Sequence, residues 1–239
     1  MYRSKKGRKT RFNPFRALWW FVRFFVGLSL GLWLLSALIV VLLRFVPPIT
    51  TSFMIQTAFR NGLYTYQWQP YEQISPSMAL AAIAAEDQRF PMHSGFDIEA
   101  ITTALRDAES GASLRGASTI TQQVAKNLFL WPGRSFIRKG IEAWLTFFIE
   151  RVWDKQRILE MYLNIAQFGD RTFGVEAASQ QFFQVSAQNL TPQEAALLAA
   201  VLPGPELYSV VDPSWEVRDR QSWILTQMNQ LGESYLQGL

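Results

Sequence analysis

FFVGLSLGLWLLSALIVVLL, the run from Phe24 to Leu43, holds 20 residues and no charge. As a helix it is long enough to cross a hydrocarbon core of about 30 Å. Trp19, Trp20 and Phe21 precede it and Arg44 and Phe45 follow it, the residue types that settle at a membrane interface. The first 45 residues carry nine basic residues and no acidic one. That excess predicts a cytoplasmic N-terminus, with everything after about residue 46 on the far side. A cleaved signal peptide is the rival reading. Its apolar core is normally about 7–15 residues long and ends at a small-x-small site. This core is longer, and Arg44-Phe45-Val46-Pro47-Pro48 follows it, so an uncleaved anchor is expected. The expected layout is a basic tail over 1–18, an anchor over 19–45 and one extramembrane domain over 46–239.

Outward from the anchor, the charge changes sign. After residue 45 there are 14 Lys and Arg against all 19 Asp and Glu, although the whole chain is +4. The positive charge therefore sits beside the apolar run, which favours membrane lipids as a partner and argues against nucleic acid. Cysteine is absent and histidine occurs once, which excludes the ordinary zinc clusters. A Mg- or Mn-like divalent cation held by carboxylate and phosphate oxygens stays compatible with the composition. No resident metal is assigned to any residue.

The outer domain reads as mostly helical. Ser75-Pro76 opens SPSMALAAIAAEDQ with an N-cap serine and a first-turn proline. Asp97 is placed to cap IEAITTALRDAE, which stops at Gly111, and Ser118 to cap TITQQVAKNLF. Arg134–Trp153 reads as one long helix, followed by DKQRILEMYLNIAQF with Asp154 as cap. Thr191-Pro192-Gln193-Glu194 is a capping box, and Ser214 is placed to cap a last helix near Trp215–Leu231. Leu63–Trp68 is the best extended segment. Between Leu128 and Trp153 aromatic and basic residues interleave, which fits either a buried helix or one lying at a lipid surface. The neighbouring anchor favours lipid.

Four segments carry the chemistry. EDQRFPMHSG (Glu86–Gly95) sets two carboxylates at a helix C-terminus, where the dipole disfavours them. Breaking a local rule marks a functional candidate, although a solvated helix end is the plainer account. In GASTITQQVAKN (Gly116–Asn127), Thr119, Gln122, Gln123 and Lys126 share a helix face suited to sugar hydroxyls and a phosphate, or simply to water. GRSFIRKGIE (Gly133–Glu142) offers Arg134, Arg138 and Lys139 with Glu142, either as a diphosphate site or as an exposed ion pair of little worth. KQRILEMYLN (Lys155–Asn164) reads as a packing face, with Asn164 able to hold a neighbouring backbone.

In this order the four segments resemble the family 51 glycosyltransferases, and most closely their monofunctional biosynthetic peptidoglycan transglycosylases. The family pattern ED-x-x-F-x-x-H-x-G, G-x-S-T-I-T-Q-Q-x-x-K-N, R-K-x-x-E, K-x-x-I-L-x-x-Y-L-N is met without a substitution, and the likeness covers about residues 60–230. It implies a lysozyme-like, two-lobed α-helical fold behind one transmembrane helix, with a smaller hydrophobic lobe dipping into the membrane. It implies Glu86 as general base and Glu142 as the second essential carboxylate, orienting the basic groups or a metal. Lys126 and Arg134, helped by Arg138 and Lys139, would hold the donor diphosphate. Ser118, Thr119, Gln122 and Gln123 would line the cleft, and Asp87, Phe90 and His93 would position Glu86. The implied substrates are lipid II and the growing glycan chain, at the bacterial inner membrane with a periplasmic catalytic domain. Cell-division or penicillin-binding proteins are the kind of partner such an enzyme meets. The chain stops at Leu239 and shows no S-x-x-K, so peptide cross-linking is not expected. Two other readings compete: a glycan-cleaving lysozyme-like enzyme, in which the glutamate is a general acid, and a scaffold without catalysis.

Overall fold

The computed structural model describes residues 14–109, 118–133 and 135–239. Chain order runs α1 (Pro14–Leu43), α2 (Ser52–Asn61), β1 (Thr65–Tyr66), α3 (Pro76–Glu86), α4 (Ile98–Glu109), α5 (Ile120–Phe129) and α6 (Phe136–Val152). It continues with α7 (Lys155–Ile165), β2 (Gln167–Gly169), β3 (Thr172–Phe173), α8 (Val175–Phe183), α9 (Pro192–Val201) and α10 (Trp215–Leu231). A mostly α-helical domain thus stands behind one long apolar helix, as expected.

Most helix starts lie where the cap residues place them. Asp97 accepts from the Ala100 amide, Asp154 from Arg157 and Ser214 from Val217. Thr191 and Glu194 close a reciprocal capping box. Two expectations need correction. Ser118 is exposed and does not cap α5; Thr119 does, in a capping box with Gln122. The reason is the spacing Thr119-x-x-Gln122, which satisfies two free amides at once. Ser75 occupies the N-cap position of α3, but its hydroxyl donates to the Leu190 carbonyl instead of capping.

Helix α3 is the centre of one group of helices. Seven consecutive residues from Met78 to Ala84 are buried, mostly alanine, and α9 meets it with a similarly small-residue surface around Ala195–Ala200. Small side chains let helix axes approach closely, and α10 packs against both. The second group is built on α5, which contacts α2, α6 and α7. A small three-stranded sheet, order β1-β3-β2, closes the edge near α8. β2 and β3 are too short to show a two-residue period in sequence. Asn164, fully buried, accepts from the Gln69 amide and donates to the Gln69 and Glu160 carbonyls, so it staples the segment after β1 onto α7. Gly174 sits at φ 83°, where a Cβ would lie 2.6 Å from the Asn164 carbonyl oxygen.

Helix α1 ends against the domain. Its last four carbonyls, the ones a helix leaves unpaired, all find donors. Trp153 Nε1 donates to Val40, the Arg44 amide to Val41, the Phe45 and Val46 amides to Leu42, and Arg157 to Leu43. Trp33 packs on Trp144 of α6 with ring centroids 5.4 Å apart. Residues Leu18–Leu43 form a helix long and apolar enough to span a membrane, and they are almost wholly exposed within the chain.

Helix α6 is not plain core. Leu145, Thr146 and Ile149 face inward, while Phe136 is 98 % and Ile137 77 % exposed. Apolar side chains left so exposed at the start of a helix beside a membrane anchor suit a lipid interface. A chain lacking residues 1–45 is therefore expected to keep partial binding to phospholipid vesicles. Phe136→Ser with Ile137→Ser in that background should abolish it in a sedimentation assay. Equal binding by both forms would show that another surface holds lipid.

Candidate active site

Glu86 is the last residue of α3, so its carboxylate leaves the core end of a buried helix at the negative pole of the dipole. Its side chain is 14 % exposed. Two donors face it: Gln123 Nε2 at 2.8 Å and Arg220 Nη2 at 3.2 Å. Burial pushes the Glu86 pKa above its ordinary value, and Gln123, Arg220 and Lys126 partly oppose that rise. A carboxyl group so tuned moves toward the range where a proton acceptor works near neutral pH. Arg220 comes from α10, far along the chain, and no local pattern in the sequence singles it out. It also donates to the Ala85 carbonyl, capping the end of α3.

The neighbour Asp87 is structural support. It is buried, its Oδ1 accepts from His93 Nε2 at 2.8 Å, and its Oδ2 accepts the Ile120 amide at the start of α5. A carboxylate at a helix N-terminus is favoured, so Asp87 ties α3 to α5 and fixes where Glu86 points. Phe90 is fully buried beneath this loop. Lys155 donates to the His93 carbonyl and to Glu150, which in turn accepts from Thr121. Gly95 closes the segment at φ 83°, where a Cβ would come within 2.7 Å of Thr146 Cγ2. Asp87 and His93 thus shape the site from behind it. Asp87, His93 and Asp97 each place one potential ligand atom within 4.8 Å of the others, but Asp97 already accepts the Ala100 amide and lies 3.7 Å from Arg89.

Along α5 the expected polar face divides. Thr119 and Gln122 are buried, and the capping box together with the Gly95 carbonyl uses their polar atoms. Neither borders the groove described next, because a helix start inside the protein must satisfy its amides internally. Gln123 and Lys126, one turn further, do line a groove of about 340 Å³, together with Phe53, Asn127 and Tyr162. Lys126 Nζ lies 5.4 Å from the centre of the Phe53 ring. Burial lowers the Lys126 pKa from its ordinary value; Glu142 and Glu86 oppose the fall, while Arg138 and Lys139 add to it.

Glu142 is 2 % exposed and is held from both sides. Arg138 Nη1 donates to its Oε2 at 2.5 Å, and Lys139 Nζ donates to its Oε1. Of the two readings of this pair, the exposed one does not hold: Arg138 is also buried, so the pair belongs to the interior. Arg138 and Lys139 are turned to Glu142 and border a separate hollow near Ser135 and Phe136, not the Lys126 groove. A divalent cation at Glu142 would have to displace one of them. Arg134 and the glycine loop Gly111–Gly116 lie outside the described residues.

The arrangement gives one buried carboxylate two donors, and one of them, Gln123, also lines the groove that holds Lys126. The sequence model of the Transglycosylase family matches residues 56–229. The chain belongs to the transglycosylase family. Among similar proteins, the biosynthetic peptidoglycan transglycosylase of Shewanella oneidensis is 55 % identical over 210 residues, covering 86 % of this chain and 90 % of the relative. Those of Mannheimia succiniciproducens and Xylella fastidiosa are each 50 % identical, over 226 and 223 residues. They cover 92 % and 90 % of this chain and 90 % and 91 % of the relatives. A glycosyltransferase of peptidoglycan synthesis is the enzyme class this membership gives.

Two outcomes follow for this transglycosylase. Arg220→Ala removes a cation beside Glu86, so the Glu86 pKa rises further. Activity that needs the ionised carboxylate is expected to lose its acid limb at a higher pH than wild type, read from a pH–rate profile. An unshifted limb would remove Glu86 from that titration. Glu142→Ala leaves Arg138 buried without its partner and should cost roughly 3–5 kcal/mol of stability in a denaturant titration.

Proposed function

We propose that this transglycosylase polymerises lipid II into β-1,4-linked glycan at the outer face of the bacterial inner membrane. The single observation that carries the reading is Glu86, a desolvated carboxylate joined through Gln123 to the helix whose Lys126 lines the groove. In this reading the 4-hydroxyl of the acceptor sugar gives its proton to Glu86 as its oxygen attacks C1 of the donor. The C1–O bond to the diphosphate breaks as the new bond forms, so the lipid diphosphate leaves with the electron pair and the anomeric centre inverts. Lys126 stabilises the negative charge of the departing group, an effect strengthened by its burial. Arg134 serves the same charge, Arg138 and Lys139 hold Glu142 in place, Glu142 favours the charged form of Lys126, and Ser118 and Gln123 meet the sugars. Support for the membrane setting comes from α1 and the exposed Phe136 and Ile137. The basic residues before α1 support a cytoplasmic N-terminus and an outward-facing domain.

No S-x-x-K motif occurs in the sequence, which supports polymerisation without peptide cross-linking. Diphosphate oxygens bind divalent cations readily, so the assay is run with and without Mg. Purified full-length protein with lipid II is expected to yield polymer. Glu86→Gln keeps the shape of the side chain and the fold but removes the proton acceptor, and polymer should fall by at least about a hundredfold. Near-normal polymer from that variant, or soluble muropeptides released from finished peptidoglycan in place of polymer, would refute the proposal.

A further inference from the structure

Arg60, in the last turn of α2, lines the same groove as Lys126. Its guanidinium lies 3.5 Å from Glu206 Oε1, and the two side chains are 50 % and 42 % exposed. An ion pair this exposed holds little free energy and is easily exchanged for another partner. Glu206 belongs to the Pro203–Leu207 segment, which also lines this groove. A second feature of the groove points to a ligand. Asn127 is buried and lines the cavity, yet its Oδ1 has no hydrogen-bond partner among the described residues. A buried acceptor left unpaired is costly.

We propose that Arg60 is a second oxyanion-binding group of this groove, parked on Glu206 in the free enzyme and taken over by the phosphates of an incoming lipid diphosphate. Asn127 belongs to the same groove lining as Lys126, where the adjoining sugar would sit. The inference rests on the glycosyltransferase reading above and adds residues to it. The chemistry of the two cations is complementary. Lys126 is a point charge at the buried end, whereas the guanidinium fork of Arg60 presents parallel donors that match two phosphate oxygens. Glu206 acts as a competitor for Arg60, so its removal frees the fork before substrate arrives.

The same fork would fit a carboxylate of the substrate's peptide stem, and the test separates the two oxyanions. Binding of undecaprenyl diphosphate in detergent micelles to the full-length protein is measured without turnover. Arg60→Ala is expected to weaken it about tenfold, the scale of a charge-assisted hydrogen bond. Glu206→Gln is expected to tighten it several-fold, and Arg60→Ala with Glu206→Gln to behave like Arg60→Ala alone. Both residues are half exposed, so unchanged melting temperatures check the fold. Undiminished affinity in Arg60→Ala, or tightening by Glu206→Gln that survives loss of Arg60, overturns the proposal. So does an Arg60→Ala defect confined to binding of the free stem pentapeptide. Because the readout needs no catalysis, a wild-type protein that binds undecaprenyl diphosphate through Arg60 but makes no polymer would sink the polymerase reading and leave this one standing.

Discussion

A carboxylate at the C-terminal end of a buried helix is held ionisable only if something replaces the water it has lost. Glu86 is in that position, and the rest of the domain is arranged around its replacement solvent. Gln123 supplies one hydrogen bond and Arg220 another with a full charge. Each comes from a different helix, so α3, α5 and α10 must be in place together before the carboxylate is tuned. The residual effect is still a raised pKa, because burial outweighs the donors. That imbalance makes Glu86 a stronger base than a fully compensated carboxylate would be.

Precision at Glu86 comes from its neighbour. Asp87 spends both oxygens on protein partners, one on His93 and one on the first amide of α5. The two adjacent acids therefore have opposite assignments, one facing donors that tune it and one serving as a strut. The same division recurs on α5, where Thr119 and Gln122 seal the helix start while Gln123 and Lys126 face outward. It recurs again at Glu142, whose carboxylate organises two cations in the interior. The buried carboxylates here are each met by donors, as low-dielectric surroundings require.

The anchor is part of this construction. Its final carbonyls are bonded by Trp153 and Arg157, and Arg157 starts the helix that carries Tyr162 and Asn164. The end of α1 is thus a component of the domain's packing and not a free tether, which sets the distance from the anchor to the groove.

By itself the sequence determined the helical class, most caps, the anchor and the order of the four motifs. These are local matters: a capping box spans four residues, a membrane span is one continuous run, and Asp97, Asp154 and Thr191 announce helices through their own backbone bonds. It also carried Glu86, Gln123 and Lys126, because their motif spacing is regular. Tertiary structure alone decided which polar residues of α5 line the groove. Thr119 and Gln122 look identical in type and period to Gln123 and Lys126, and only the burial of the helix start separates them. Arg220 is brought to Glu86 across 134 residues, and Arg60 meets Glu206 across a comparable separation. Such pairings depend on how whole helices dock, a non-local packing outcome that no window of sequence encodes. Strand β1 falls within the expected extended segment Leu63–Trp68, but β2, β3 and the Asn127 oxygen without a partner were invisible, since each exists only through neighbours supplied by distant chain.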